Sequence, residues 1–155
     1  MDELVLRLQR FPVGHKLYTD KEITNTDATK GFVGTFKSVF GQLVDSGGTI
    51  LNYTVEREDK LISEGEYTFD LYYSEHNKAI VPRLTTFNGE DISARELELH
   101  PCNWVWQLTG CAGQGTAINL EVPMLVGSQL AFNKLMKFLN GRTGKVIYET
   151  LPLST

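Results

Sequence analysis

The feature that most constrains the fold is an alternation of apolar and polar side chains along several short segments. Residues 67–73 show it most clearly, and residues 4–8, 51–55 and 97–100 repeat it. Neighbouring side chains of a strand point to opposite faces, so a period of two is typical of a strand with one buried face. The large side chains that share a face in the clearest segment are Tyr67, Phe69, Leu71 and Tyr73.

Turn-forming residues separate these segments. Asp45-Ser46-Gly47-Gly48 predicts a hairpin before residues 51–55, and Asn88-Gly89 predicts a loop before residues 97–100. Shorter strands are expected near residues 32–40, 117–122 and 146–149. The polar segment from Tyr18 to Lys30 has no period, and we expect an exposed loop there.

One segment has helical rather than strand periodicity. Ser128 is a suitable N-cap, and Gly141 is placed to end the helix in a left-handed conformation. We therefore predict a mainly β fold, an antiparallel sheet of barrel-like or sandwich form, with one α-helix in the C-terminal half at about residues 128–140. A chain of 155 residues fits one domain, so residues 1–155 are expected to form a single β-rich unit. The apolar stripe expected to pack on the sheet is Leu130, Phe132, Leu135, Met136 and Leu139.

Composition argues against several classes of partner. The formal net charge of -4 lacks the basic character of a nucleic-acid-binding protein and disfavours binding to anionic membrane surfaces. No apolar run approaches the roughly 20 residues that span a bilayer. The N-terminal segment has acidic residues and no continuous apolar stretch, so we expect no signal peptide and synthesis in the cytoplasm.

Cofactor and metal motifs are also missing from the sequence. There is no phosphate-binding loop and no dinucleotide fingerprint, so no cofactor is expected. Cys102 and Cys111 lie nine positions apart and lack the spacings of a zinc site, so no metal is expected. Cytoplasmic synthesis favours reduced thiols, although a disulfide between the two cysteines remains an alternative.

Residues 98–115 contain the best candidates for chemistry. Cys111 is a candidate nucleophile, and His100 is a candidate base that would take the thiol proton. Glu98 shares the strand parity of His100 and is a candidate for orienting the imidazole, as is Asn103. The backbone amides around Gly113 and Gly115 are candidate oxyanion donors.

A purely structural interpretation fits the same residues. An isolated cysteine often fills space in a core, and a histidine at the end of a strand often binds backbone groups of the next loop. Glu96 and Glu98 then belong to a solvated face of the sheet. The sequence does not decide between the two interpretations.

Several motifs resemble a family of unknown function that is common in bacteriophage and prophage genomes. Thr54-Val55-Glu56 resembles its T-x-E element, and Ser63–Tyr67 resembles its P-x-G-x-Y turn, with Ser-Glu in place of Pro-Ala. Ser74 fits the serine that follows, and residues 97–115 resemble an H-x-G-N block followed by a Gly-Cys pair. Cys102 stands where that block has its glycine. A fainter similarity links Thr109-Gly110-Cys111 to the L,D-transpeptidase pattern, without the histidine adjacent to the Gly-Cys pair.

The resemblance implies a phage context and leaves three hypotheses. The first is a β-rich accessory domain of a tailed-phage particle, in the tail or baseplate, which contacts other virion proteins. The second is a cysteine hydrolase or transpeptidase that acts on cell-wall peptide bonds, with peptidoglycan as its partner and with Cys111 and His100 as nucleophile and base. The third is a small soluble prophage protein with neither role.

Overall fold

The computed structural model describes residues 3–153. In this part of the chain, twelve strands and one α-helix are joined by loops that include three short 3-10 helices. The 3-10 helices are Glu58–Lys60, Ser93–Arg95 and Val105–Gln107. The strands and the helix are β1 Leu4–Arg10, β2 Glu22–Asn25, β3 Gly34–Val44, β4 Ile50–Arg57, β5 Gly65–Ser74, β6 Ala79–Phe87, β7 Glu90–Asp91, β8 Leu99–Pro101, β9 Ala112–Gly115, β10 Ala117–Asn119, β11 Met124–Val126, α1 Ser128–Leu139 and β12 Gly144–Thr150.

The main sheet curls until its two ends meet. Its strand order is β7-β6-β5-β12-β1-β3-β4-β9-β8. Arg83 of β6 forms an antiparallel bridge with Glu98, just before β8, and the Leu84 amide donates to the Leu97 carbonyl at 2.8 Å. The eight strands from β6 round to β8 therefore form a closed barrel, which removes most of the free edges of the sheet.

The predicted fold class is confirmed, because the protein is mostly β with one helix in its C-terminal half. The expectation of a purely antiparallel sheet is wrong at two places. β1 pairs with β12 in parallel, and β8 pairs with β9 in parallel. A parallel pair needs a crossover connection, and the chain between Pro101 and Ala112 provides it for β8 and β9.

The interior of the barrel follows from the alternation along its strands. The inward side chains are almost completely buried and form one cluster. Burial of this much apolar surface is the main favourable contribution to folding. The outward faces of β3 and β4 carry a second cluster, which the segments after β8 and β9 cover. The buried members of the inner cluster are Leu6, Leu8, Leu43, Ile62, Tyr67, Phe69, Leu84, Leu97, Leu99, Ala112, Leu135, Leu139, Val146 and Tyr148.

The helix α1 packs its apolar face into this inner cluster through Leu135 and Leu139. Ser128 is its first residue rather than its N-cap, because Gly127 occupies the cap position with φ +67°. Leu130 is 67% exposed, against the prediction, since the buried stripe includes Ala131 in its place. Asn140 ends the helix in the left-handed conformation that was expected at Gly141, which also has a positive φ.

The polar segment 18–30 is not wholly a loop. Residues Glu22–Asn25 form β2, which pairs with the first part of β3. Ile23 packs against the outer cluster and lies opposite Phe36. A four-residue strand with one apolar side chain is too short to show a period in the sequence. Among residues 3–153, no helix has both the length and the hydropathy required to cross a bilayer.

A buried ion pair lies inside the barrel. The Arg10 guanidinium binds both carboxylate oxygens of Glu56, at 2.9 and 2.8 Å, and a third bond reaches the Ile62 carbonyl at 2.8 Å. Burial raises the pKa of Glu56, and the hydrogen bonds and charge of Arg10 oppose that shift. Since an unpaired charge in the interior is costly, each side chain depends on the other.

We expect Glu56→Leu to lower the free energy of unfolding by about 3–5 kcal/mol, because it leaves the Arg10 guanidinium buried without its carboxylate. The double variant Arg10→Met/Glu56→Leu should recover most of that loss, because it removes both charges. Urea unfolding followed by circular dichroism measures both effects.

The partly exposed pair of Arg7 and Glu149 is the matched control for this experiment. Arg7→Met should cost less than about 1 kcal/mol, as expected for an ion pair near solvent. A double interior variant that is less stable than Glu56→Leu alone would contradict the explanation.

Candidate functional site

The pairing of β8 with β9 brings the predicted site residues to one face. Leu99 lies beside Ala112 and His100 beside Gly113, in parallel register. Since Leu99 and Ala112 point into the barrel, the residues on either side of them point outward. Glu98, His100 and Cys111 therefore share the outer face at the position where the barrel closes.

These three side chains lie at the bottom of a cleft of about 570 Å³. They are mostly buried, whereas the other lining side chains are mainly exposed, so they form its floor. One wall consists of residues 28–32, and a second wall contains Gln107 and Thr109. His76, Arg95 and Glu96 complete the lining. A cleft of this volume is within the usual range for a small-molecule or peptide site.

A backbone hydrogen bond joins the two walls. The amide of Phe32 donates to the carbonyl of Trp106 at 2.8 Å. Gly31 has φ +147°, and a Cβ there would lie 2.6 Å from the same carbonyl oxygen, so only glycine allows this approach. The cleft therefore has a fixed width where residues 31–32 meet the aromatic loop.

Arg57 is a buried cation that contacts residues next to the cleft. Its guanidinium lies 5.2 Å from the ring centroid of Phe32 and 4.6 Å from that of Phe36. It also donates to the Leu108 carbonyl at 3.1 Å and pairs with Asp59. The Arg57 guanidinium thus contacts the aromatic ring of Phe32 in one wall and the carbonyl of Leu108, which lies between Gln107 and Thr109 of the second wall.

Glu98 is buried, so the expectation that it lies on a solvated face is wrong; Glu96 is exposed, as expected. The Glu98 carboxylate accepts hydrogen bonds from the Tyr72 hydroxyl, from Ser74 Oγ at 3.2 Å and from Asn77 Nδ2 at 2.6 Å. Burial, followed by the bond to Glu98, raises the pKa of Tyr72 to about 12, so its hydroxyl remains a donor. The turn between β5 and β6 thus fixes the carboxylate in place.

One ring nitrogen of His100 is engaged in a hydrogen bond. Its Nδ1 lies 2.9 Å from the carbonyl oxygen of Pro101, which only accepts, so Nδ1 carries the hydrogen. Burial lowers the pKa of His100, although the nearby Glu98 charge opposes this, so the neutral ring is favoured. Nε2 makes no hydrogen bond within residues 3–153, and it is not among the fully buried polar atoms that lack a partner. It is the nitrogen that remains able to accept a proton from the cleft.

The sulfur of Cys111 is held by backbone groups. It accepts a bond from the Glu98 amide at 3.3 Å and donates to the Glu96 carbonyl at 3.6 Å. Glu96 has φ +52°, a left-handed conformation that is unfavourable for glutamate and that turns its carbonyl to the thiol. Burial raises the pKa of Cys111 to about 11, so the thiol is protonated at neutral pH.

His100 and Cys111 thus line one cleft, but no hydrogen bond joins them in the described part of the chain. Among the described residues, Asn103 makes no hydrogen bond to the imidazole and does not line the cleft. Its backbone carbonyl accepts from the Leu125 amide, and its Oδ1 is buried without a partner in the same part of the chain. The catalytic roles predicted for Cys111, His100, Glu98 and Asn103 remain predictions.

The glycines proposed as oxyanion donors have a different place. Gly113 and Gly115 lie within β9, paired with Val55 and Tyr53, and neither lines the cleft. A Cβ at Gly115 would lie 2.6 Å from the Cβ of Leu125, so the missing side chain serves packing. Backbone amides within a paired strand are poor candidates for binding an oxyanion.

Both cysteines are free thiols, as expected for a reduced protein. Cys102 is buried in the outer cluster and donates to the Trp104 carbonyl at 3.0 Å. Burial raises its pKa to about 12. Within residues 3–153, no group of three or more His, Cys, Asp or Glu side chains is arranged to hold a metal ion.

Sequence reasoning missed the residues that hold Glu98. Tyr72 and Asn77 carried no signal, because they lie more than twenty positions from Glu98 and meet it only when the barrel closes. Ser74 was singled out by the family pattern, without a role. Lys30 and Arg95 at the cleft were likewise unremarkable among the exposed charges of the sequence.

No family model, curated protein or solved structure matches this chain. The resemblance to a phage family, noted from the motifs, therefore remains a prediction.

We expect Cys111 to react with iodoacetamide at pH 7.5 more slowly than a free thiol, because its raised pKa leaves little thiolate. The rate should increase steadily toward pH 11, as the thiolate forms. Mass spectrometry of tryptic peptides follows the modification of each cysteine. Cys102 is the internal control and should stay unmodified in the folded protein. Rapid labelling of Cys111 at neutral pH would contradict the assigned pKa.

Proposed function

We propose that this chain is a cysteine hydrolase or transpeptidase that uses the cleft to act on peptide bonds of the bacterial cell wall. The observation that carries the proposal is that Cys111 and His100 lie on one cleft floor, with Nδ1 of His100 bound to Pro101. A cleft that gathers a thiol, an imidazole and a buried carboxylate is a typical place for acid–base and nucleophilic chemistry.

The chemistry starts from a neutral thiol and a neutral imidazole. Burial disfavours charge on both groups, because it raises the pKa of Cys111 and lowers that of His100. His100 therefore acts as a general base that takes the thiol proton on Nε2 as the sulfur attacks the carbonyl carbon. Catalytic contacts often tighten only when the substrate binds, so this step requires the two side chains to approach each other in the complex.

Glu98 contributes through its charge. It makes no hydrogen bond to His100 in the described structure, but its proximity favours the protonated imidazole that forms during attack. The imidazolium then gives its proton to the leaving amine, and a thioester to Cys111 remains. Water releases the acyl group in a hydrolase, whereas an acceptor amine releases it in a transpeptidase.

The test is incubation of the protein with purified peptidoglycan, followed by mass spectrometry of the peptides that are released or joined. We expect Cys111→Ala to abolish turnover and His100→Asn to reduce it by about a hundredfold or more. Asparagine keeps a donor for the Pro101 carbonyl and removes the base, so it separates the chemical role of His100 from its structural role.

Cys102→Ala is the matched control, because this second thiol lies outside the cleft. It should retain activity. The proposal fails if the wild-type protein leaves peptidoglycan unchanged, or if Cys111→Ala is as active as the wild type.

A second proposal is that the protein is an accessory component of a tailed-phage particle. The observation in its favour is a small exposed apolar surface on the β5–β6 hairpin. Tyr73 and Ile80 lie opposite each other there, 51% and 48% exposed. Paired exposed apolar side chains are typical of protein contacts. The two proposals are compatible, since Tyr73 and Ile80 are not among the residues that line the cleft.

Mass spectrometry of purified virions tests the particle role. The chain should be present in a fixed ratio to the tail proteins, because a component of a symmetric assembly has a defined copy number. Absence of the chain from purified particles would exclude this role and leave the enzymatic proposal unaffected.

A further inference from the structure

The charges around the cleft indicate what kind of ligand it accepts. Lys30 belongs to one wall, and Arg95 lines the cleft where the chain approaches β8. Both side chains are exposed, and neither forms a salt bridge within residues 3–153. The protein has a net charge of -4, so two cations without salt-bridge partners at one cleft differ in sign from the net charge of the protein.

Two carboxylates also line the cleft, one buried and one exposed. Glu98 is buried on the floor and accepts three hydrogen bonds. Asp27 lies near Lys30 but is outside the cleft lining, and its carboxylate binds the Thr29 amide and hydroxyl at 2.9 and 2.6 Å. Glu96 is then the only exposed carboxylate among the lining residues.

An anion at the cleft surface therefore meets two exposed cations and one exposed carboxylate, with the Glu98 carboxylate buried on the floor. A peptide with a free carboxylate matches this set, because the carboxylate pairs with the cations while the amide end of the peptide lies near Glu96. The volume of about 570 Å³ accommodates two or three amino-acid residues. Polar side chains on the walls, Thr29, Gln107 and Thr109, provide hydrogen-bond partners for peptide groups.

We propose that Lys30 and Arg95 are specificity-determining residues that bind a free carboxylate of a short peptide whose backbone lies along the cleft above His100 and Cys111. This inference rests on the proposed function, since it names the ligand class of the same cleft. It assigns to the two cations a role in binding and none in the chemical step.

Binding is measured in the Cys111→Ala background, which removes the nucleophile and keeps the cleft. The probes are N-acetyl-alanyl-glutamate, which carries two carboxylates, and its diamide, N-acetyl-alanyl-glutaminamide. Titration followed by NMR shifts of the backbone amides gives both the affinity and the location. We expect the dicarboxylate to shift the amides of Thr29, Lys30 and Thr109 and to bind at least threefold more tightly than the diamide.

Lys30→Gln and Arg95→Gln should each weaken binding of the dicarboxylate by about two- to fivefold, as expected for exposed ion pairs, and should leave binding of the diamide unchanged. The difference between the two probes should shrink as salt is added, because exposed charges are screened. Lys16→Gln is the matched control, since Lys16 is an exposed lysine outside the cleft, and it should have no effect.

Three results would overturn the inference. They are equal affinity for the two probes, a loss of affinity in Lys16→Gln as large as that in Lys30→Gln, and binding of inorganic phosphate as tight as that of the dicarboxylate. Phosphate binding would identify a general anion site in place of a peptide site.

The outcome is separable from that of the proposed function. Selective binding of the dicarboxylate without turnover of peptidoglycan by the wild type would support this inference and defeat the enzymatic proposal. Turnover that is unaffected by Lys30→Gln and Arg95→Gln, with no preference for carboxylates, would do the reverse.

Discussion

The structure depends on the closure of the barrel at the contact between β6 and the residues that precede β8. The backbone bridge of Arg83 with Glu98 and the hydrogen bond between the Leu84 amide and the Leu97 carbonyl join the two ends of the sheet. Without this contact, β6 and β8 would be open edges, and the inner cluster would lose a wall. The same contact brings the β5–β6 turn to Glu98, so the closure that completes the core also builds the cleft floor.

Polar groups inside the barrel are arranged in a way that apolar packing alone would not require. Arg10 and Glu56 form a bidentate pair among leucine and tyrosine side chains. Near the helix, the Asn52 side chain donates to Gln114 at 3.2 Å and to the Ala131 carbonyl at 3.1 Å. Such buried contacts are costly when mismatched, so they favour one register of β1, β4 and β9 over its neighbours.

At the cleft, burial decides the protonation of the reactive groups. It acts in opposite directions on a thiol and an imidazole, and both shifts favour the neutral forms. The thiol is therefore protonated at neutral pH and the neutral imidazole is favoured. The close approach at Gly31 and the hydrogen bond from Arg57 to the Leu108 carbonyl hold the chain around these groups, whereas Lys30 and Arg95 are exposed side chains of the lining.

Local structure follows from patterns between residues close in the chain. The alternation in residues 4–8 and 67–71, the Asp45–Gly48 turn and the helical stripe near Leu135 each follow from interactions between residues close in the chain. The sequence also marked Cys111 and His100 by residue type and motif, and the parallel pairing of β8 with β9 places them on one face. The sequence pattern predicted the wrong burial for Glu98 and Leu130 and did not predict β2. Burial of these residues depends on elements far away in the chain.

The cleft floor and the choice of neighbouring strands depend on contacts between distant parts of the chain. Tyr72, Ser74 and Asn77 meet Glu98 because β6 lies beside β8, a pairing that no local pattern encodes. The parallel pairing of β1 with β12 joins residues about 140 positions apart. Local periodicity fixes which side of a strand is apolar, but it does not specify which strand becomes its neighbour. That choice is made when the whole chain buries its apolar faces at once, and the cleft is a consequence of it.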